Sequence, residues 1–533
     1  PTVQSAGTVP FNEDVTVRFR PFSTTNTGGF IAENTSDTLR FDASLTGNFG
    51  DNWEWSLSGA WSRQEIKEQQ PDVIFPELER ALLGQGGPND DQYFNPFGSA
   101  IFATPGSPLY NDPAVGAEFS ATLNDTHETS AKVVDAIVSN GALFELPAGN
   151  VGFAAGIQYR DEFLAQDFDE LKESNQVAFF GNGDVDFEGD SQTTAIFAEF
   201  AIPVFSSSVG DLDLSIAGRY EEESDSGLDS FNPKVSALFD SDRFSIRGSY
   251  ATSFLAPSLF QRFGAKTIFE VILDPLNPSF SDATNTRLGG TADVDPQDST
   301  SYNFGVTVRP TENLSVGVDF WSFEFEDLLA APSAQSIIDA DPNGPLITRR
   351  ANGTISVIER PFFNAGSLEA DGLDFTLSYI RGTQQRGTYT VDASATYVTT
   401  YDIQELPGGP VIDGVGDSNV ENIGNPIPEY RGFVRFGWLT GNHRIGLTAR
   451  HTSEVVNTAF GIRNVADAMT VLDAQYSYDF ANRGLDGVTL TVGAINLFDE
   501  KPNVLRGRFN SFYVQEVQDP LGRRVYFTMN WAF

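Results

Sequence analysis

Three histidines, His127, His443 and His451, and the acidic run "GNGDVDFEGDSQ" are the stretches of this sequence best equipped to hold a metal or move a proton. His443 and His451 lie on one alternating stretch, roughly 27 Å apart if extended, so they cannot share an ion. No Ser-His-Asp spacing and no phosphate-binding loop is readable, and a carboxylate near a serine carries no weight in so acidic a chain. The histidines read as ordinary side chains, and no enzyme is expected. Asp184, Asp186 and Glu188, followed by Gly189, look like the start of a calcium loop. The twelfth position is Ala195, where a bidentate Glu is required, so it is not an EF-hand. An irregular Ca2+ site there is the metal candidate, and a solvated acidic loop is the favoured reading. "NDDQY" and "DADPNGP" are read the same way. No other cofactor is expected.

Composition narrows what surrounds these residues. Asp and Glu number 73 against 33 Lys and Arg, a net charge of −40, which repels nucleic-acid phosphate and argues against DNA or RNA as a partner. There is no cysteine, so disulfide and thiolate chemistry are absent. No apolar run reaches the length of a membrane helix. The chain opens at Pro1 without a charged and apolar leader, which reads as a mature product or a fragment. With 45 Phe, 15 Tyr and 49 Gly, the mixture suits strands and turns.

The elements that position these residues repeat one pattern, a strand of about ten residues with period-two alternation followed by a turn or a long polar loop. In "TLRFDASLTGNFGDNWEWSLSGAWSR", Leu39, Phe41, Ala43 and Leu45 share one face, and Trp53, Trp55, Leu57, Gly59 and Trp61 share one face of the next strand, with "GDN" as the turn. Roughly 18 such strands are expected. Short turns alternate with long loops near 65–115, 256–298, 327–350 and 402–428, the asymmetry of a transmembrane β-barrel. Ten tilted residues span about 24 Å, the height of an outer-membrane apolar band. The fold class expected for residues 1–533 is all-β, a large antiparallel barrel. Alternation continues to the last residue, so Val525, Phe527, Met529, Trp531 and Phe533 should face lipid, and Tyr526, Thr528 and Asn530 the lumen. Arg219, Arg247 and Arg450 fall on the polar face and are candidates for the lumen wall.

The run "FNPKVSALFDSDRFSIRGSYATSFLAPSLFQRF" resembles the TonB-dependent outer-membrane receptors, in which a strand ending like Arg247 to Tyr250 is followed by a segment like Ser253 to Leu259. "GNVGFAAGIQYRDEF", "AIFAEFAIPV", "LSIAGRYEE", "NAGSLEADGLDF", "VGAINLFDEKP" and the terminal Phe533 fit the same family in the expected order. "ALLGQGGPNDDQYFNPFGSAI" resembles a proteobacterial subgroup that often has a cysteine pair in this loop; here the loop is unstapled.

The resemblance implies a barrel of about 22 strands in the complete protein, with an N-terminal plug domain and a segment gripped by TonB. The plug and the first strands are not visible in this chain. It implies a TonB-energised, ligand-gated importer of a scarce bulky solute in the outer membrane of a Gram-negative bacterium. Siderophores, cobalamin, oligosaccharides and peptides are the solute classes of that family. The implied partners are TonB, the plug, the barrel-assembly machinery, which reads the terminal aromatic residue, and membrane lipid and lipopolysaccharide. On this resemblance the inner arginines contact an anionic plug or ligand, while pairing with carboxylates of neighbouring strands is the favoured reading. The acidic loops favour a ligand with positive charge or bound metal. The alternatives are a passive porin-like channel and a surface-loop protein for adhesion or phage docking.

Overall fold

A chain with long alternating stretches can satisfy its backbone and separate its two unlike faces by pairing each strand with the next and turning back. A computed structural model describes residues 31–532, apart from 179–182, 225, 278–280, 351–352, 405–407, 419–425, 458–462, 482–486 and 506–512. Among the described residues, eighteen strands form one sheet, an antiparallel meander from Glu33–Phe49 to Arg524–Trp531 that includes the two-residue strand Ile412–Asp413. The first hairpin pairs Phe41 with Trp61 and Leu45 with Leu57, so the apolar residues share a face. Its turn holds Gly50 at φ 54° and Asn52 at φ 64°, left-handed conformations that these two residue types tolerate best.

Many strands are longer than the expected ten residues. Ser120–Leu146 has 27 and Trp53–Val73 has 21. A ladder is made by backbone, so it continues past the apolar band. On the face that carries Trp55, Leu57 and Trp61, the next residues are Arg63, Glu65 and Lys67, joined by the ion pairs Arg63–Glu128 at 2.7 Å and Lys67–Glu65 at 2.7 Å. The alternation of apolar residues ends before the hydrogen bonding does.

Tight turns such as 147–148, 208–209, 312–313 and 441–442 lie at one end of the sheet, and the long connections at the other. The connection expected at 65–115 runs over 74–119, because the strand Trp53–Val73 takes its first residues. The one expected at 327–350 runs over 331–362 and contains two short strands, Ile347–Arg349 and Ile355–Pro361. Three further long connections, at 168–186, 453–468 and 496–523, join the same end of the sheet and were not among those expected.

The tightly packed apolar clusters lie in these connections. The wall is a single layer of strands, so it has little interior of its own. Ile347–Arg349, Ile355–Pro361, Ser281–Gly289 and Ala265–Leu273 form a second, four-stranded sheet, in which Asn285 and Val357 pair in parallel. Ile272, Ile355 and Ile358 from this sheet close over Ala334 and Ile338 of the helix Ala334–Ala340. A second cluster joins Val73, Leu78, Ala81, Phe94, Val115 and Phe119, using the helices Phe75–Leu82 and Pro113–Glu118. Among the described residues, no helix is long and apolar enough to cross a membrane, which says nothing of crossing by strands.

Candidate functional site: the polar face and the long-loop end

The last strand defines the two faces. Val525, Phe527, Met529 and Trp531 are 71%, 69%, 55% and 64% exposed and alternate with Tyr526, Thr528 and Asn530. The neighbouring strand Val488–Ile495 places Val492 opposite Phe527 and Leu490 opposite Met529, which continues the apolar face. Phe533 lies outside the described residues. On the other face the Tyr526 hydroxyl donates to Gln475 Oε1 at 3.2 Å.

Arg219, Arg247 and Arg450 stand on this polar face, each held by a carboxylate. Arg219 donates to Glu221 at 2.8 Å and to Gln158 at 2.9 Å. Arg450 pairs with Asp473 at 3.0 Å. Arg247 reaches across an intervening strand to Asp319 in a two-pronged contact, Nε to Oδ1 at 2.7 Å and a second, closer prong. Gly305 lies between them in register, and a Cβ there would overlap the Asp319 carboxylate and the Arg247 guanidinium. The glycine is the gap that lets the pair lie flat on the wall.

The same face carries three arginines not among the expected set: Arg431 and Arg435 on the strand Tyr430–Thr440, and Arg444 on His443–Thr452. Register puts Arg444 opposite Leu439 and Arg450 opposite Phe433, so all four share a side; Val434, Phe436, Trp438, Ile445 and Leu447 take the other. Arg431, Arg435 and Arg444 are exposed, and no carboxylate among the described residues forms an ion pair with them. The alternation in "YRGFVRFGWLTGNHRIGLTARHTS" that singles out Arg450 would have found them.

At the long-loop end, acidic residues are consumed in pairs. Lys172 and Asp125 are buried together, 6% and 3% exposed at their side chains, and Asp125 also accepts the Asp169 N–H at 3.0 Å. Arg262 donates to Glu223 at 2.8 Å, again with both side chains buried. In the four-stranded sheet, Arg349 makes a two-pronged contact to Asp274 at 2.6 and 3.0 Å, and Arg360 meets Glu270 at 2.5 Å. The Arg349 guanidinium, helped by the N–H of Leu276, holds the Asp274 carboxyl below the usual range, at about 2.

Among the described residues, Asp184, Asp186 and Glu188 do not gather into a metal-ligating group. Asp184 is buried and accepts the Thr267 N–H at 2.6 Å, and Asp186 accepts the Phe168 N–H at 2.7 Å. Glu188 is exposed on the strand Phe187–Ser207. The first two carboxylates accept from backbone donors of two different segments, and Glu188 stands on a separate strand. Burial pushes the Asp184 pKa up, which also disfavours a free anionic ligand there. Among the described residues, Glu68, Asp125 and His127 bring donor atoms within 4.8 Å of one another, but Lys172 already occupies Asp125. His443 hydrogen-bonds Tyr476 at 2.7 Å and His451 bonds Thr470 at 2.7 Å.

The chain matches the model of the family described as TonB dependent receptor-like, beta-barrel, over residues 3–497. No curated protein matches. Among solved structures, the siderophore receptor PirA from Acinetobacter baumannii is similar, with a TM-score of 0.58 at 15% identity over 94% of this chain and 63% of that one. A complex of FpvAI with pyocin S2 gives a TM-score of 0.57 at 13% identity, covering 93% of this chain and 57% of that one. A variant of the ferric enterobactin receptor PfeA from Pseudomonas aeruginosa, in complex with enterobactin, gives 0.56 at 13% identity, covering 94% and 63%. The chain therefore spans about 60% of the length of these structures. At such identity they share its fold.

Proposed function

The chain belongs to the TonB-dependent receptor β-barrel family, and from that premise we propose that it forms the wall and outer loops of an energised, ligand-gated importer in a Gram-negative outer membrane. The observation that supports this most is the division of the sheet into an apolar face and a polar face, with the long, internally packed connections gathered at one end. An apolar outer face suits lipid, a polar inner face suits water or a folded domain, and packed loops offer a surface where a solute can be selected before it enters.

In this reading no covalent chemistry is done. The loops bind a bulky solute, and TonB, acting on a plug outside this chain, opens a path along the polar face. Two structural neighbours are named as siderophore or ferric enterobactin receptors, which makes an iron-bearing solute the first class to try. Planar-bilayer recording of the full-length native protein tests the gate. Silence until the plug is displaced supports the importer; a steady, large conductance from the intact protein would replace it with a passive channel.

A further inference from the structure

The hairpin of strands Phe363–Thr383 and Gly387–Gln404 carries a basic, aromatic hollow on its apolar face, next to its turn. Leu314 pairs with Tyr379 and Thr388 with Leu439, so the turn 384–386 lies at the same end of the sheet as the tight turns 312–313 and 441–442. Phe375, Leu377, Tyr379 and Arg381 follow one another along the apolar face. Register sets Tyr389 directly opposite Arg381, and Trp438 opposite Tyr389. The row that alternation keeps apolar thus ends on a guanidinium.

Three contacts brace the turn. The rings of Tyr389 and Trp438 stack, with centroids 5.9 Å apart and 2° between their planes. The Trp438 indole N–H donates to the Arg386 carbonyl at 2.8 Å, and the Arg386 N–H donates to Thr383 Oγ1 at 3.0 Å. Arg386 is therefore held on a fixed turn, exposed, as is Arg381. With Tyr379, Gln384, Gln385 and Tyr389, the two arginines line an open hollow of about 700 Å³. Among the described residues no acid lines it, in a chain with 73 Asp and Glu.

We propose that this hollow holds the headgroup of an anionic phospholipid, its phosphodiester on Arg381 and Arg386 and its acyl chains running along the apolar face past Tyr379 and Leu377. The guanidinium fork matches pairs of phosphate oxygens, and the tyrosine and glutamine side chains add neutral donors. Amphipathic rings suit the membrane surface of any barrel; the two cations are what select for negative charge. A zwitterionic headgroup brings its own ammonium, which the arginines repel, so phosphatidylglycerol should be preferred to phosphatidylcholine. A headgroup seated there anchors the short-turn end of the wall at the membrane surface. The site lies outside the import path and needs only that the apolar face meets lipid. The hairpin sits between strands Leu314–Ala330 and Tyr430–Thr440, several strands from the first and last of the sheet, Glu33–Phe49 and Arg524–Trp531. A domain filling the lumen would lie against the other face.

The test is photo-crosslinking of the full-length protein in phosphatidylcholine vesicles doped with phosphatidylglycerol that bears a diazirine in its headgroup or at its chain ends, mapped by peptide mass spectrometry. The headgroup probe should label segment 379–389, and Arg381→Gln with Arg386→Gln should lower that label at least roughly tenfold relative to the turn 208–209. Both side chains are exposed, so the variant should remain heat-modifiable and its apolar face should still take the chain-end probe. Unchanged headgroup labelling in the variant refutes the site, as does equal labelling by phosphatidylcholine carrying the same diazirine. Excess glycerol 3-phosphate should leave the label in place; if it abolishes it, the hollow takes a free phosphate and the lipid is refuted. Each of these failures leaves the importer reading standing, since that reading is decided by conductance. Absence of chain-end label on Phe375 and Leu377 would remove the contact with lipid, and the site with it.

Discussion

Neutralising Asp274 should loosen the four-stranded sheet at the long-loop end and leave the wall intact. Asp274 follows the strand Ala265–Leu273, and Arg349 ends the strand Ile347–Arg349. Arg349 also donates to the Pro342 carbonyl at 2.9 Å and the Gly353 carbonyl at 2.9 Å, so one side chain ties three segments. The carboxyl pKa falls from 3.8 to about 2. At 1.36 kcal/mol per unit, that difference is about 2 kcal/mol of folded-state preference for the charged form. Because the folded pKa is depressed, the contribution is complete above pH ~4 and is lost as pH falls toward 2. The pair is mostly buried, with side-chain exposures of 15% for Arg349 and 4% for Asp274, so solvent screening takes little of it. Asp274→Asn should then raise local opening about thirtyfold at neutral pH. Amide exchange of Ile272, Leu273 and Ile358, measured against strand Phe244–Leu255 as an internal control, reads this directly. Wild type should lose the same protection between pH ~4 and ~2, after correction for intrinsic rates, and the variant should not. Less than about a threefold change in the variant, or an unchanged pH dependence, would show that the pair does not hold the sheet.

Met529→Arg should reduce heat-modifiable, membrane-inserted protein by a cost of about 2–4 kcal/mol if the site lies near the bilayer midplane, whereas Thr528→Arg should cost much less. Equal damage would mean that the faces are misassigned. Gly305→Ala should force apart Arg247 and Asp319 and lower resistance to urea by about 1–3 kcal/mol, and wild-type unfolding would contradict the close approach. Lys172→Met strands a buried Asp125 and should expose segment 168–186 to limited proteolysis, at a cost of about 3–5 kcal/mol. Adding Asp125→Leu should restore part of the protection; if the double variant is cleaved as fast as the single one, the uncompensated charge is not the cause.

Sequence alone carried the fold because the wall of a barrel is a local pattern. Each strand needs only alternation and a neighbour, so Leu39 to Trp61 disclosed both faces and the first turn, and Val525 to Trp531 disclosed the last. Strand length was less legible. Hydrogen bonding persists beyond the apolar band, as at Arg63 to Lys67, where the side chains no longer advertise it. The arginines of the polar face were readable in principle, since register follows from period two, but which of them would be paired was not. Arg247 and Asp319 are 72 residues apart, Asp125 and Lys172 are 47 apart, and Asp274 and Arg349 are 75 apart. Charge counts cannot tell a neutralised carboxylate from a free one. The partners of the calcium candidates were hidden for the same reason: Asp184 and Asp186 accept from the backbone N–H groups of Thr267 and Phe168, which no spacing reveals. Local periodicity thus determined the strands and their faces, while tertiary structure decided which charges cancel, because electrostatic pairing depends on distance in space and the chain brings remote residues together only when it folds.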